Sequence, residues 1–301
     1  MMFEQNFMPE GAEINPDTPR KKGLARLFEI LSRDLDGIFL SGALAMLVCV
    51  PAAILAGIAL WLGSLPLCLL AAVAAGWLVG PALTGLYDTI LRALRDEPGF
   101  WWHTYKRAWK QNFRSSLVPG IVFTVLWALL AWSAFVLPQM TEISLSFALI
   151  LLLDAVLLLT LGNYFWMQNA LFYGSIFQKS SNCIRMFFGF LPQTALSAIV
   201  QVGYWLLIAF LIPRCAFMFL LTGLWVPSLL AAFSVYSTME KNLHLEERIQ
   251  DIKQAVSEAD YCLMVENGSA ILAKAGVLYH RQAADYAYDE NWKRMFTVGV
   301  N

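Results

Sequence analysis

The chain has 301 residues, of which 58% are apolar and 14% are charged, and its mean hydropathy is +0.58. Soluble globular domains have roughly 45–50% apolar and about 25% charged residues, so this composition excludes an ordinary soluble domain. The formal net charge of −1 at pH 7 identifies no partner.

Six long apolar stretches predict membrane-spanning helices, because a helix of about 20 apolar residues crosses the roughly 30 Å hydrocarbon core. A soluble protein with six core helices is disfavoured, since core helices are rarely charge-free over such lengths. The predicted fold class is therefore an all-α polytopic membrane protein with six transmembrane helices. The spans are 38–62, 66–91, 117–137, 145–170, 188–211 and 215–238, the last two separated only by the corner Ile212-Pro213-Arg214.

Lys and Arg residues occupy alternate gaps between these stretches. Twenty of the 21 lie in residues 1–37, 92–116, 171–187 and 239–301, and the exception is Arg214. Since short cytoplasmic loops retain Lys and Arg, we expect these four segments, and both termini, in the cytoplasm. The domain organisation is then a cytoplasmic N-terminal segment (1–37), a six-helix membrane domain (38–238) and a cytoplasmic tail (239–301).

The second span contains a pattern of small residues, with Gly76 and Gly80 four positions apart. Such spacing lets two helix backbones approach closely. The partner helix is expected in the same chain, with homodimerisation as the alternative. Pro81 lies inside this span and removes one backbone hydrogen bond, so we expect a kink there.

Residues 99–116 predict an interfacial amphipathic helix. Four aromatic residues recur at spacings of three, four and four, which places them on one helix face: Trp102, Tyr105, Trp109 and Phe113. Arg107 and Lys110 belong to a basic stripe beside them. Such a helix suits the headgroups of an anionic inner leaflet, and a docking helix for a transport ATPase or another membrane subunit is the alternative. Nucleic-acid binding is not expected, since the aromatic face would be committed to lipid.

Asp154 is the one acidic residue deep within a predicted span. An intramembrane carboxylate is costly and usually faces the bundle interior, where it finds a partner. The fifth span offers one polar stripe at helical spacing: Gln193, Ser197, Gln201 and Tyr204. We expect Asp154 to point at this stripe with Gln201 within hydrogen-bond reach, either as a structural pair or as part of a substrate, ion or proton path.

The tail predicts a helical hairpin. Its first helix has an apolar seam, its second follows the Asn267-Gly268 break, and the contact can be within the chain or with a partner. The seam of the first helix is Leu245, Ile249, Ile252, Val256, Ala259 and Leu263, and the apolar positions of the second are Leu272, Ala275, Tyr279, Ala283 and Tyr286. No metal site, cofactor motif or catalytic motif is recognised anywhere in the sequence, so we expect a protein that is not an enzyme.

Several segments resemble the YesL-like family of bacterial integral membrane proteins, which carry a domain of unknown function. They are the basic lead-in 19–35, Cys49-Val50-Pro51, Gly80-Pro81-Ala82 and the core of the basic loop, 105–113. The resemblance covers roughly residues 16–240. It implies a multi-pass protein of the bacterial plasma membrane and an association with carbohydrate uptake. The expected function is accessory or modulatory in a transport system; the alternative is a small-solute or ion transporter that uses the polar site around Asp154.

Overall fold

A computed structural model describes residues 21, 23–96, 100–139, 145–172, 175–243, 272–274 and 277–279. These residues form seven helices, a short 3-10 turn and two short strands. The helices are α1 (Leu24–Trp61), α2 (Leu65–Arg95), α3 (Trp101–Val136), α4 (Leu145–Leu171), α5 (Ile176–Gly189), α6 (Leu191–Thr222) and α7 (Trp225–Leu243); the 3-10 turn is Leu137–Gln139, and the strands are β1 (Leu272–Lys274) and β2 (Val277–Tyr279).

Five helices in the described part of the chain are long and apolar enough to cross a bilayer: α1, α2, α3, α4 and the Leu191–Phe210 part of α6. The protein is therefore a helical, membrane-type protein with several spans. α7 covers most of the sixth predicted span but is not among the five. It has 19 residues, and Glu240 and Lys241 lie near its end. A count of six spans stays a prediction.

The predicted corner at residues 212–214 is wrong. α6 continues through it to Thr222, and the chain turns at Gly223, which has φ 46°. Glycine adopts this conformation without steric cost. Proline is tolerated inside membrane helices because neighbouring groups satisfy the freed backbone atoms. Likewise, the predicted loop 171–187 contains α5, whose first turn is closed by a capping box between Ser175 and Gln178.

The predicted interfacial helix is not a separate element, because α3 runs unbroken from Trp101 to Val136. Tyr105 packs on Gly85 and donates to the Ala82 carbonyl at 3.4 Å, while Ser116 Oγ lies 2.9 Å from Thr84 Oγ1. Eleven residues of helix span about 16 Å, yet both side chains reach the same short stretch of α2. The first third of α3 therefore crosses α2 steeply.

From Ser116 onward α3 runs along α2, and glycines bring the two backbones into contact. A Cβ on Gly80 would lie 2.3 Å from the Ser116 carbonyl oxygen, and one on Gly120 would lie 2.3 Å from the Gly76 carbonyl oxygen. Thr124 Oγ1 adds a hydrogen bond of 2.8 Å to the Ala72 carbonyl. The small-residue pattern thus packs against a helix of the same chain.

The helices pack most tightly near the end of the bundle at which α2 ends and α3 begins, here called the basic end; the opposite end is called the far end. On α4, residues 160–171 are almost all buried, whereas residues 145–159 are partly or fully exposed. On α2, residues 79–95 are nearly all buried. The largest buried side chains belong to this region and include Ile30, Leu86, Ile90, Tyr164, Met167 and Leu229.

In the tail, residues 272–274 and 277–279 form two short strands, so the prediction of a second helix is wrong for these residues. Leu272 pairs with Tyr279 and Lys274 with Val277, in antiparallel register. Only two residues, Ala275 and Gly276, separate the strands, and so short a connection containing glycine is typical of a β-hairpin. The apolar seam predicted for residues 245–263 lies outside the described residues.

Replacing Gly80 with Ala should destabilise the protein. The added Cβ meets a backbone oxygen, which has no rotamer to move, so α2 and α3 must separate. Overpacking of this kind typically costs about 1–3 kcal/mol. Gly57→Ala is the control, since a Cβ there meets nothing within 4 Å. Thermal unfolding of purified protein in detergent measures both variants, and equal Tm values for the two would contradict the close approach.

Candidate functional site

Charged side chains at the basic end tie α1 to the end of α2. Asp96, which follows α2 with a left-handed φ of 61°, receives hydrogen bonds from Arg26 (2.6 Å) and from Arg33. The same arginines donate to the Leu94 and Ala93 carbonyls. Burial would by itself raise the pKa of Asp96, but the two arginines outweigh it and hold the pKa below its ordinary value. This cluster closes a helix end and joins two helices.

A second polar cluster lies deeper and joins four helices. Asn169 of α4 donates to Thr84 of α2 at 3.0 Å and to Ser116 of α3 at 2.8 Å. Its carbonyl oxygen accepts a hydrogen bond of 2.7 Å from Lys179 Nζ of α5. All four side chains are buried, at 5% exposure or less. The side-chain amide of one asparagine therefore connects the lysine to both hydroxyls.

Lys179 is a buried cation. Among the described residues, no carboxylate lies within ion-pair distance of its ammonium group, which donates a hydrogen bond to Asn169. Burial lowers the pKa of Lys179 to about 8 and raises that of Cys183, one helical turn away, to about 12. Cys183 itself accepts a hydrogen bond of 3.3 Å from Gln168. The inner face of α5 is thus held to α4 by two amide side chains.

A cavity of about 190 Å³ lies between α2, α3, α4, α6 and α7. Aromatic rings form much of its wall, including Trp127, Trp166 and Trp205. Trp127 is 37% exposed, so the cavity reaches the surface of the bundle beside α3. The polar side chains that line it are neutral and include Tyr87, Asn163, Gln201 and Ser228.

The polar groups of the cavity are unequally satisfied. The Tyr87 hydroxyl donates to the Asn163 carbonyl oxygen and also forms a hydrogen bond with Ser228. Gln201 donates to Ser197 at 3.3 Å. The Asn163 amide nitrogen is buried and has no hydrogen-bond partner in the described structure. A buried donor without a partner is destabilising.

The prediction for Asp154 is wrong. Its side chain is exposed, and it forms no hydrogen bond or ion pair with the described residues. The reason is its position on α4: the half of the helix that contains it extends away from the packed core toward the far end. The depth of Asp154 in the membrane does not indicate which face of α4 it lies on. At this level α4 is apolar on all sides, so the sequence does not show which face is turned inward.

The predicted polar stripe on α6 divides between different roles. Ser197 and Gln201 are buried and hydrogen bond to each other, and Gln201 lines the cavity. The Tyr204 hydroxyl donates to the Gly223 carbonyl at 2.8 Å and so fixes the turn into α7. Gln193 is partly exposed near the start of α6. The structure therefore brings one of the four residues, Gln201, to the cavity wall, and Ser197 holds its side chain.

The aromatic stripe of α3 also divides. Tyr105 is buried, Trp109 packs partly against the core, Phe113 is half-buried, and Trp102 is 45% exposed. Beside them Lys110 is exposed and Arg107 is half-buried. The face that carries Tyr105 is turned toward α2, and the cations lie on the outer side.

Four of the residues that form the two sites were not singled out from the sequence: Tyr87, Asn163, Lys179 and Ser228. Asn163 could have been recognised from the sequence, since an amide side chain is unusual within a predicted span such as 145–170. Lys179 could not, because in the predicted loop 171–187, where Arg185 is the other charged residue, it is indistinguishable from a solvated cation. Tyr87 and Ser228 are ordinary residues for a helix end.

Residues 55–134 match the model of a family described as a protein of unknown function, DUF624. The matched segment begins within α1 and covers α2 and nearly all of α3. It contains Gly80-Pro81-Ala82 and residues 105–113, which carry the resemblance to the YesL-like family, and is consistent with that resemblance. No curated protein and no solved structure matches the chain.

Lys179 should make stability depend on pH. Because burial lowers its pKa from 10.5 to about 8, the unfolded chain holds a proton between these values that the folded chain has lost. Stability should therefore rise with pH from about 8 to 10.5. Lys179→Met should abolish this rise, because Met does not titrate. Lys106→Met, at an exposed position, is the control, and identical pH profiles for both variants would contradict the buried cation.

Proposed function

We propose that this protein, whose residues 55–134 match the DUF624 family model, is a non-enzymatic accessory or modulatory component of a transport system. The observation that carries the proposal is an apolar face of α5 that the described helices leave uncovered. The resemblance to the YesL-like family suggests carbohydrate as the transported class.

α5 has one face with polar side chains and one apolar face. The polar face is turned inward, toward α4, and the apolar face is turned outward. Lys179 and Cys183 are turned toward α4, where Asn169 and Gln168 hold them. The outer face presents large apolar side chains: Phe177 is 83% exposed, Ile184 52% and Phe188 67%. A helix fixed on one side and apolar on the other offers a preformed contact surface.

A protein partner suits this surface. Protein interfaces are enriched in aromatic residues, and the exposed Phe177 and Phe188 are large rings held on a rigid helix. The basic end also carries exposed cations on α3, including Lys106 and Lys110, which favour a partner with acidic groups. The proposed partner is a transport ATPase or another membrane subunit. Contact with headgroups of an anionic leaflet is the competing use of the same helix.

The proposed location is the bacterial plasma membrane, with the basic end in the cytoplasm. The excess of Lys and Arg at this end supports the orientation. A non-enzymatic role is part of the proposal because no catalytic motif is recognised in the sequence.

A photo-crosslinking phenylalanine analogue at position 177 should capture the partner in native membranes. The same analogue at Leu70, which is 67% exposed on α2 within a span, is the control. We expect an adduct with a transport subunit at position 177 alone, identified by mass spectrometry. Phe177→Glu should reduce co-purification of that subunit at least tenfold. Lipid adducts at both positions, with no protein adduct, would refute the docking role.

Single-cysteine labelling tests the orientation. Lys106 and Gln139 are both exposed and lie at the two ends of α3 and its 3-10 turn. A membrane-impermeant reagent should label Gln139→Cys in intact cells, and Lys106→Cys only after permeabilisation. Labelling of position 106 from outside would show the orientation to be inverted.

A second candidate function, a small-solute transporter in its own right, is favoured by the cavity beside Gln201. In this case purified protein in vesicles should move solute without a partner. Gln201→Leu removes a 3% exposed polar group from the cavity wall and should lower that flux about tenfold, whereas Gln193→Leu should not. If the purified protein moves no solute and the crosslinking experiment captures a partner, the transporter function is refuted and the accessory role remains.

A further inference from the structure

The cavity between α2, α3, α4, α6 and α7 opens at the depth of the hydrocarbon core. Its mouth is marked on α3 by the exposed Trp127 and on α4 by the half-buried Leu158 and Leu159. Trp127 is the midpoint of the predicted span 117–137, with about 15 Å of helix on either side of it. The mouth therefore lies near the middle of the roughly 30 Å hydrocarbon layer, where the surrounding medium is lipid acyl chains rather than water or headgroups.

The wall of the cavity suits an apolar occupant. Phe123 and Trp166 form one side of it, with ring centroids 5.5 Å apart, and Val79 and Leu83 of α2 add aliphatic surface. Of the described residues that line the cavity, none is Asp, Glu, Lys, Arg or His. A charged occupant would lose its hydration there without gaining a counter-charge, which is costly.

The polar side chains in the wall are bonded to other groups of the protein. The Tyr87 hydroxyl forms a hydrogen bond with Ser228, and Gln201 Nε2 donates to Ser197 at 3.3 Å. The Asn163 amide nitrogen has no partner in the described structure, but it is buried too deeply to touch an occupant. The wall thus favours a molecule that needs no hydrogen bonds.

We propose that this cavity binds the terminal part of an acyl chain of a bilayer lipid, which enters beside Trp127. Its volume of about 190 Å³ exceeds the 150 Å³ of an engineered apolar cavity that binds benzene, so a segment of several methylene groups fits. An empty cavity would leave the wall atoms without contacts on one side, and a hydrocarbon chain supplies those contacts. The site does not depend on the accessory role, because no described residue of α5 lines it.

Photoreactive lipids test the proposal on the purified full chain in phosphatidylglycerol vesicles. One probe lipid carries a diazirine in the terminal half of an acyl chain, and a second carries it next to the ester group. Peptide mass spectrometry after irradiation locates the adducts. The terminal probe should label Trp166, although this residue is only 4% exposed, and the ester-side probe should label it at least fivefold less. Leu126, which is 44% exposed beside the mouth, reports labelling by the surrounding lipid.

A pair of matched variants locates the site. In Gly162→Leu the new Cβ lies at an ordinary 3.5 Å from Phe123, and the further carbons of the side chain occupy the cavity that Gly162 lines. This change should reduce labelling of Trp166 by the terminal probe at least fivefold and leave Leu126 labelled. Gly203→Leu makes the same substitution where a Cβ meets nothing within 4 Å, and it should be labelled as the unaltered chain is.

The proposal is overturned if the terminal probe labels Leu126 but not Trp166, or if both probes label Trp166 equally. Labelling of Trp166 that persists in Gly162→Leu would also overturn it. If Gly162→Leu does not fold, Leu159→Trp narrows the mouth instead, with Leu153→Trp, at a 57% exposed position of the same helix, as its control. Equal labelling of Trp166 in these two variants would then refute the site.

Discussion

The backbone contact between α2 and α3 determines much of the remaining architecture. Because Gly80 and Gly120 have no side chains, the two helices approach until their Cα atoms and carbonyls touch. Only at this separation can Thr84 and Ser116 share a hydrogen bond of 2.9 Å and both receive the Asn169 amide. α4 is thereby fixed to the α2–α3 pair, and α5 to α4 through Lys179. In lipid, where apolar surfaces gain little by meeting each other, such close contacts and hydrogen bonds have to drive the association of helices.

The protein's buried polar groups fall into two kinds. Those around Asn169 and Asp96 are bonded to partners on other helices and hold the basic end together. Those of the residues that line the cavity are neutral, and the Asn163 amide nitrogen among them is buried and has no hydrogen-bond partner in the described structure.

How far the sequence predicted the structure depended on how strongly hydropathy constrains each feature. α4 was predicted at 145–170 and is found at Leu145–Leu171, since apolar residues fill it throughout. α1 begins at Leu24, well before the apolar stretch, because hydropathy detects only the part of a helix that lies in hydrocarbon. The sequence does not predict the turn at Gly223, because Pro213 suggests an earlier end of the helix, although proline can lie within a membrane helix. The cavity depends on which side chains meet across five helices, and spacing along one helix contains no such information.

The exposed position of Asp154 bears on the membrane rather than on the protein. The residue lies nine positions from the start of α4, about 14 Å along the helix, and its short side chain cannot extend to the headgroups as a lysine would. Water and headgroups must therefore move inward to meet it, as they do around polar groups on lipid-facing helices. We therefore expect the leaflet at the far end to thin locally around α4, which would favour membranes whose far leaflet deforms easily.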